Sequence, residues 1–149
     1  MMPSEVLKAA VAAGAKPDLQ ALIETLPYPR FLGIRVDRKG TEITTVLMPR
    51  ADLIGNPILP ALHGGVLGGF LETTAILQLV FELGGVDMPK PVDINIDYLR
   101  SGRVVETYAR AVIAKQGRRV VNVHAEAWQE EHTRPIASLR GHFVLPEVE

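Results

Sequence analysis

The chain of 149 residues contains no cysteine. That absence excludes disulfides, thiolate metal ligands and a cysteine nucleophile. It suits a reducing compartment, so a cytoplasmic location is the expectation. There is no basic excess either: 16 Lys and Arg stand against 17 Asp and Glu, with a pI near 6.4. Nucleic acid is therefore not the expected partner. The first residues, Met1 to Val6, lack a basic segment followed by an apolar core, so no signal peptide is expected. The longest apolar run, Val66 to Val80, is broken by Glu72 and Gln78. It is shorter than the ~20 residues a membrane span needs, and no membrane partner is expected. Aromatic residues make up only 5% of the chain. Phe31, Leu53, Ile54, Phe70 and Phe81 could line an aliphatic or an aryl pocket equally well. No repeat, linker or low-complexity segment divides the chain, and its length fits one domain over residues 1–149.

What is present reads as helices, then strands, then one helix and four more strands. Residues 5–13 and 18–26 read as two short helices, forming a helical extension over residues 1–30. Asp18 is placed to cap the second, and Pro27 and Pro29 to close it. Phe31 to Asp37 and Thr41 to Met48 read as strands about a Lys39-Gly40 turn. Residues 49–62, with Pro49, Gly55, Pro57 and Pro60, read as an irregular loop long enough to suggest function. Over 64–83 the residues Val66, Leu67, Phe70, Leu71, Thr74, Leu77 and Phe81 recur at helical spacing, and the remaining faces carry little that is polar. Such a helix is buried. Gly84-Gly85 ends it. Four strands follow: Val92 to Arg100, Val104 to Lys115, Arg119 to Glu130 and Pro135 to Leu145. In the first, Val92, Ile94, Ile96 and Tyr98 alternate with Asp93, Asn95 and Asp97. One long helix among six strands predicts an α+β fold, an antiparallel sheet wrapped around a central helix.

The chemistry gathers at His63-Gly64-Gly65-Val66-Leu67-Gly68-Gly69-Phe70-Leu71-Glu72. A histidine and a glycine pair open the apolar helix. The start of a helix exposes backbone N–H groups that can hold a developing oxyanion, and glycine lets a carbonyl approach them. Nine residues after the histidine stands a carboxylate, Glu72, where burial is costly. It is either a structural acid paired with an arginine or a reacting group. Donors plus a carboxylate make a site for acyl transfer, with Glu72 attacking a carbonyl or activating a water.

This pattern resembles the PaaI-like hotdog-fold acyl-CoA thioesterases. The resemblance rests on Asn56 in the loop before the helix, on His63-Gly64-Gly65, and on Glu72 at its offset. It also rests on the strand Val92 to Arg100 with its Tyr98-Leu99-Arg100 ending, and on the Gly117-Arg118-Arg119 turn. It covers residues 33–145. It implies a hotdog fold of five to six strands around the helix and hydrolysis of an acyl-CoA to free acid and CoA. It implies no cofactor beyond the CoA of the substrate, and a homodimer or homotetramer with active sites shared across the dimer. It places Glu72 as catalytic acid residue and the Gly64 N–H as the donor that polarises the thioester carbonyl. Asn56 then orients carbonyl or water, and His63 shapes the helix mouth. Gly65 joins Gly64 on the substrate. Some relatives carry a hydroxyl residue just before the strand after the helix; here Pro91 stands there, and Thr73 and Thr74 are the nearby substitutes.

Other side chains divide between function and plain solvation. Arg100, Arg103, Lys115, Arg118 and Arg119 fall near strand ends and could clamp CoA phosphates or form a solvated rim. Asp93, Asn95 and Asp97 mimic the start of a calcium loop, but Tyr98 stands where its glycine is required, so no metal is expected. His124, His132 and His142 lack ligand spacing. Two other functions stay open: a hotdog hydratase or dehydratase on an acyl thioester, and a non-catalytic acyl-CoA-binding module.

Overall fold

The computed structural model describes residues 1–147. Three short helices come first: α1 (Pro3–Ala13), α2 (Leu19–Glu24) and α3 (Pro27–Leu32). Each is bounded by local chemistry. Pro3 opens α1 and Gly14 closes it in a left-handed conformation (φ 62°). The Asp18 carboxylate accepts from the Ala21 N–H at 3.0 Å and caps α2. Leu7, Leu22, Ile23 and Leu32 are the buried faces that hold these helices on the rest of the molecule.

The third helix corrects the expected strand from Phe31. Pro27 and Pro29 were expected to stop a helix; instead Pro27 occupies the first turn of a new one, where a missing N–H costs nothing. Gly33 (φ 69°) then turns the chain, and the strand starts late, as β1 (Arg35–Lys39). It pairs with β2 (Glu42–Leu47) across the expected turn at Gly40. The segment 49–62 also holds more order than a loop: a 3₁₀ turn at Ala51–Leu53, then the short hairpin of β3 (Ile54–Asn56) and β4 (Ala61–Leu62).

The central helix, α4 (Gly64–Leu83), has the bounds its sequence predicts. Long and apolar enough to cross a membrane, it is instead mostly buried inside this fold. After it come β5 (Lys90–Tyr98), β6 (Thr107–Gln116), β7 (Val120–Trp128) and β8 (Ala137–Val144). The six long strands form one antiparallel sheet in the order β1-β2-β6-β7-β8-β5, curled around α4. This is the hotdog arrangement.

Residue size explains how the sheet closes on the helix. Facing α4 are Ala109 and Ala111 of β6, Ala125 and Ala127 of β7 and Ala137 of β8, all buried. Their short side chains let the helix approach, and Phe70, Leu71, Leu77 and Phe81 of α4 fill the space between. A hydrogen bond of 2.7 Å between the Thr45 and Thr74 hydroxyls pins β2 to the helix midpoint. β5 closes one side of the sheet. Its inner residues Ile94 and Ile96 pack on the core, and among the described residues its other edge has no strand partner.

Candidate active site

Register places both ends of the site. Tyr98, Ala137 and Ala127 lie in one row across the sheet, and Lys90, Val144 and Val120 in another at the opposite end. α4 begins at the Tyr98 end. There the Tyr98 hydroxyl donates to the Gly64 carbonyl at 2.8 Å. The chain entering the helix is held by backbone bonds from the Leu62 N–H to the Gly102 carbonyl (2.8 Å) and from the His63 N–H to the Leu53 carbonyl (2.9 Å).

The opening turn of α4 has a simple hydrogen-bond account. The Gly65 N–H donates to His63 Nδ1 at 2.9 Å. The Val66 and Leu67 N–H groups donate to the His63 carbonyl at 3.0 and 3.2 Å. Gly64 N–H alone among these first amides has no acceptor among the described residues. A backbone N–H can only donate, so His63 Nδ1 must be the accepting nitrogen of a neutral ring. His63 therefore works as the N-cap of the helix, fixing which amide stays free.

Asn56 reaches this corner through the β3–β4 hairpin. Its Oδ1 accepts from the Ile58 and Leu59 N–H groups at 3.0 and 3.3 Å, an Asx turn that shapes the loop tip. The carbonyl half of its amide is thus committed to the loop. Gly55 beside it packs so close to His63 that a Cβ there would lie 2.7 Å from His63 Cα. The loop can fold back onto the helix mouth only because position 55 carries no side chain.

Glu72 lies two turns further along α4 and is half-buried. Among the described residues it has no ion-pair partner, which removes the reading of a structural acid held by an arginine. Burial among apolar neighbours pushes its carboxyl above the ordinary glutamate range. One turn earlier on the same helix is Gly69, where the Tyr28 ring of α3 rests; a Cβ there would lie 2.7 Å from Tyr28 Cε1. The N-terminal helices therefore lie on the face of α4 next to Glu72. Both threonines after it are committed to structure: Thr73 donates to the Gly69 carbonyl and Thr74 to the Phe70 carbonyl, each at 2.8 Å.

The four arginines do not form one cluster within the chain. Arg100 and Arg103 stand at the mouth end, while Arg118 and Arg119 lie at the β6–β7 turn, at the far end of the sheet, where Arg119 pairs with Glu147 at 3.2 Å. The reason is strand length: β6 and β7 are a hairpin of full-length strands, and its turn is necessarily a sheet's height from the helix mouth. Sequence reasoning missed Arg134, which joins Arg100 and Arg103 around a cavity of about 190 Å³ also lined by Gln129, Glu130 and Glu131. Arg103 is paired with Glu130 there. A second cavity of about 350 Å³ lies over Gly64, Leu67 and Tyr98, and the two share Arg100 and Ser101. The two cavities thus adjoin at Arg100 and Ser101, at the same end of the sheet as the free amide. Among the described residues, no group of three or more His, Asp or Glu side chains is placed to hold a metal ion.

Comparison with known proteins bears on family and fold. A family model described as the thioesterase superfamily matches residues 59–136, from the end of the β3–β4 loop to the residue before β8. The chain belongs to the thioesterase superfamily. A solved structure from Chromobacterium violaceum shares 36% identity over 86% of this chain and 89% of that one, with a TM-score of 0.70. Two more distant structures share the fold. One is a phenylacetic acid degradation-related protein of Ralstonia eutropha (17% identity, 85% and 98% coverage, TM-score 0.72). The other is a Bacillus halodurans protein solved with CoA (19%, 99% and 93%, TM-score 0.73). Among curated proteins, the medium/long-chain acyl-CoA thioesterase YigI of Escherichia coli is 27% identical over 120 residues, covering 71% of this chain and 77% of that protein.

Proposed function

We propose that this superfamily member is an acyl-CoA thioesterase in which the Gly64 N–H binds the thioester oxygen and Glu72 drives its hydrolysis. The observation that carries the reading is Glu72 itself, a half-buried carboxylate without a cationic partner whose burial raises its proton affinity. A fold does not keep such a group for stability. The carboxylate attacks the carbonyl carbon, or takes the proton of a water that does. Charge collects on the carbonyl oxygen, which the free amide and the positive end of α4 stabilise. The tetrahedral species collapses by expelling CoA as a thiolate, a leaving group that needs no strong general acid. No further cofactor enters this chemistry.

Helix geometry supports a site shared between two copies. At about 1.5 Å of rise per residue, the eight steps from Gly64 to Glu72 span roughly 12 Å. One carbonyl cannot touch both in a single chain. In our reading a second copy supplies the other half: Gly64 and Asn56 from one protomer face Glu72 of the next. Of the sheet's two outer strands, β1 and β5, it is β5 that ends at the helix mouth, and its unpaired edge is the seam of this reading. Arg100, Arg103 and Arg134 line the cavity that adjoins the one over Gly64 and suit the phosphates of CoA.

The test is thiol release from a panel of acyl-CoAs, beginning with the medium and long chains on which the Escherichia coli relative is named as acting. The absence of cysteine leaves the assay no background from the protein. Turnover by the native chain and its loss in Glu72→Gln are expected. A native chain that changes enoyl absorbance without releasing thiol would instead indicate a hydratase, and binding without turnover a carrier.

A further inference from the structure

We propose that Tyr98 is a positioning residue for the oxyanion donor; the inference rests on the thioesterase reading above. Position 64 must satisfy opposing demands. It favours glycine, because a Cβ there would sit 3.1 Å from the Tyr98 Cζ and hydroxyl oxygen and 3.2 Å from Cε1, so that the ring would have to give way. Yet glycine is the residue least able to hold its own backbone direction, and an amide stabilises an oxyanion only if its direction is set before the reaction. Tyr98 adds a restraint on the carbonyl side of the Gly64 Cα. Its hydroxyl donates to the Gly64 carbonyl at 2.8 Å while its ring covers the space a side chain would fill. His63 restrains the next residue by taking the Gly65 N–H. These two contacts hold the peptide plane between Gly64 and Gly65, while the plane that carries the Gly64 N–H is held by the His63 carbonyl, which accepts from Val66 and Leu67; the Gly64 Cα is thus fixed on both sides, and its N–H alone stays open.

The ring is about half exposed and borders the cavity over Gly64, so it does not act by filling the core. It is also the last residue of β5, the strand whose outer edge is unpaired. One hydrogen bond therefore couples the helix mouth to that edge strand. Ile96, two residues earlier on the same face, extends the contact: a Cβ at Gly68 would lie 2.8 Å from Ile96 Cδ1. Gly64 and Gly68, one turn apart on α4, are thus laid against β5.

The test compares native chain, Tyr98→Phe and Tyr98→Leu by thiol release, with thermal melting as the check on folding and Glu72→Gln as the reference for lost chemistry. Tyr98→Phe keeps the ring and loses only the donor. The expected result is a fall in kcat of about tenfold with KM changed less than about twofold, since an amide that swings loses the transition state before the ground state. Tyr98→Leu should fall further, again in kcat. Full kcat in Tyr98→Phe overturns the proposal, and so does a rise confined to KM, which would make Tyr98 a substrate contact. No turnover by the native chain, or an active Glu72→Gln, overturns the thioesterase reading and this inference with it. Turnover that depends on Glu72 but not on the Tyr98 hydroxyl overturns this inference alone.

Discussion

The two halves of α4 are built to opposite rules. From Gly64 to Glu72 the helix carries four glycines, each placed so that a side chain from elsewhere rests against it: Tyr98 at 64, His63 at 65, Ile96 at 68 and Tyr28 at 69. From Thr73 to Leu83 there is no glycine, and nearly every residue is buried against the sheet. Each interior glycine costs about 0.5–1 kcal/mol of helix stability relative to alanine. The second half offsets this with Leu77, Leu79, Val80 and Phe81, where a fully buried side chain is worth roughly 1.5–3 kcal/mol. The helix is anchored at one end and kept accessible at the other. The difference teaches where chemistry can be placed: on a stretch whose stability is supplied by its neighbour.

The contrast should break most sharply at Glu72. Glu72→Gln is expected to lower kcat at least about a thousandfold, a loss typical of removing an essential reacting group. It should also leave the protein more stable at neutral pH. The folded chain holds the Glu72 proton more tightly than the unfolded chain does. The carboxyl's contribution to stability is therefore fully present below the unfolded pKa and lost as pH rises through the folded one. A neutral amide avoids that loss, and a rise in Tm of about 2 °C is expected at pH 7, with none at pH 4. The same sign makes kcat/KM of the native chain climb with pH along an acid limb centred above the ordinary glutamate value, since the carboxylate is the reacting form. A limb centred below that value would contradict the assignment.

Phe81→Ala probes the other half. The ring is 2% exposed, with Lys16 and Arg38 stacked over it at 5.0 and 4.7 Å. Denaturant unfolding should show a loss of about 3–5 kcal/mol. The molecules that remain folded should turn over with native kcat, because nothing at this end touches the mouth. The smallest effect is expected at Arg134→Ala. It should raise KM for acyl-CoA about fivefold, leave kcat and Tm unchanged, and leave KM untouched for a thioester of a short CoA fragment that lacks phosphates. Equal KM changes for both substrates would separate Arg134 from phosphate binding.

Local signals were legible in the sequence and through-space ones were not. The bounds of α4 follow from an N-cap, an apolar repeat and a glycine stop, all within one segment, and they agree with the structure. The alternation of β5 is equally local, although its pairing begins two residues earlier, at Lys90. α3 was hidden because proline is an ambiguous mark: the same residue ends a helix from within and starts one at its first turn. Arg134 stands alone in a connection, and only the fold brings it beside Arg100 and Arg103. Tyr98 read as the end of an alternating strand and as part of the Tyr98-Leu99-Arg100 ending that carries the resemblance, but no spacing reveals that its hydroxyl meets a carbonyl 34 positions away. The count of free amides at the helix mouth is likewise a property of the assembled corner.

The large apolar side chains of the β3–β4 loop and of α3 are mostly exposed: Ile58 by 91%, Leu59 by 61%, Phe31 by 56% and Tyr28 by 49%. They hold up little of the core, so replacing them draws little on the protein's stability reserve. A lineage built on this plan can vary the rim of its site through many sequences without approaching the threshold at which the chain stops folding. The reactive helix beneath stays the same while the surface that meets new molecules is free to drift.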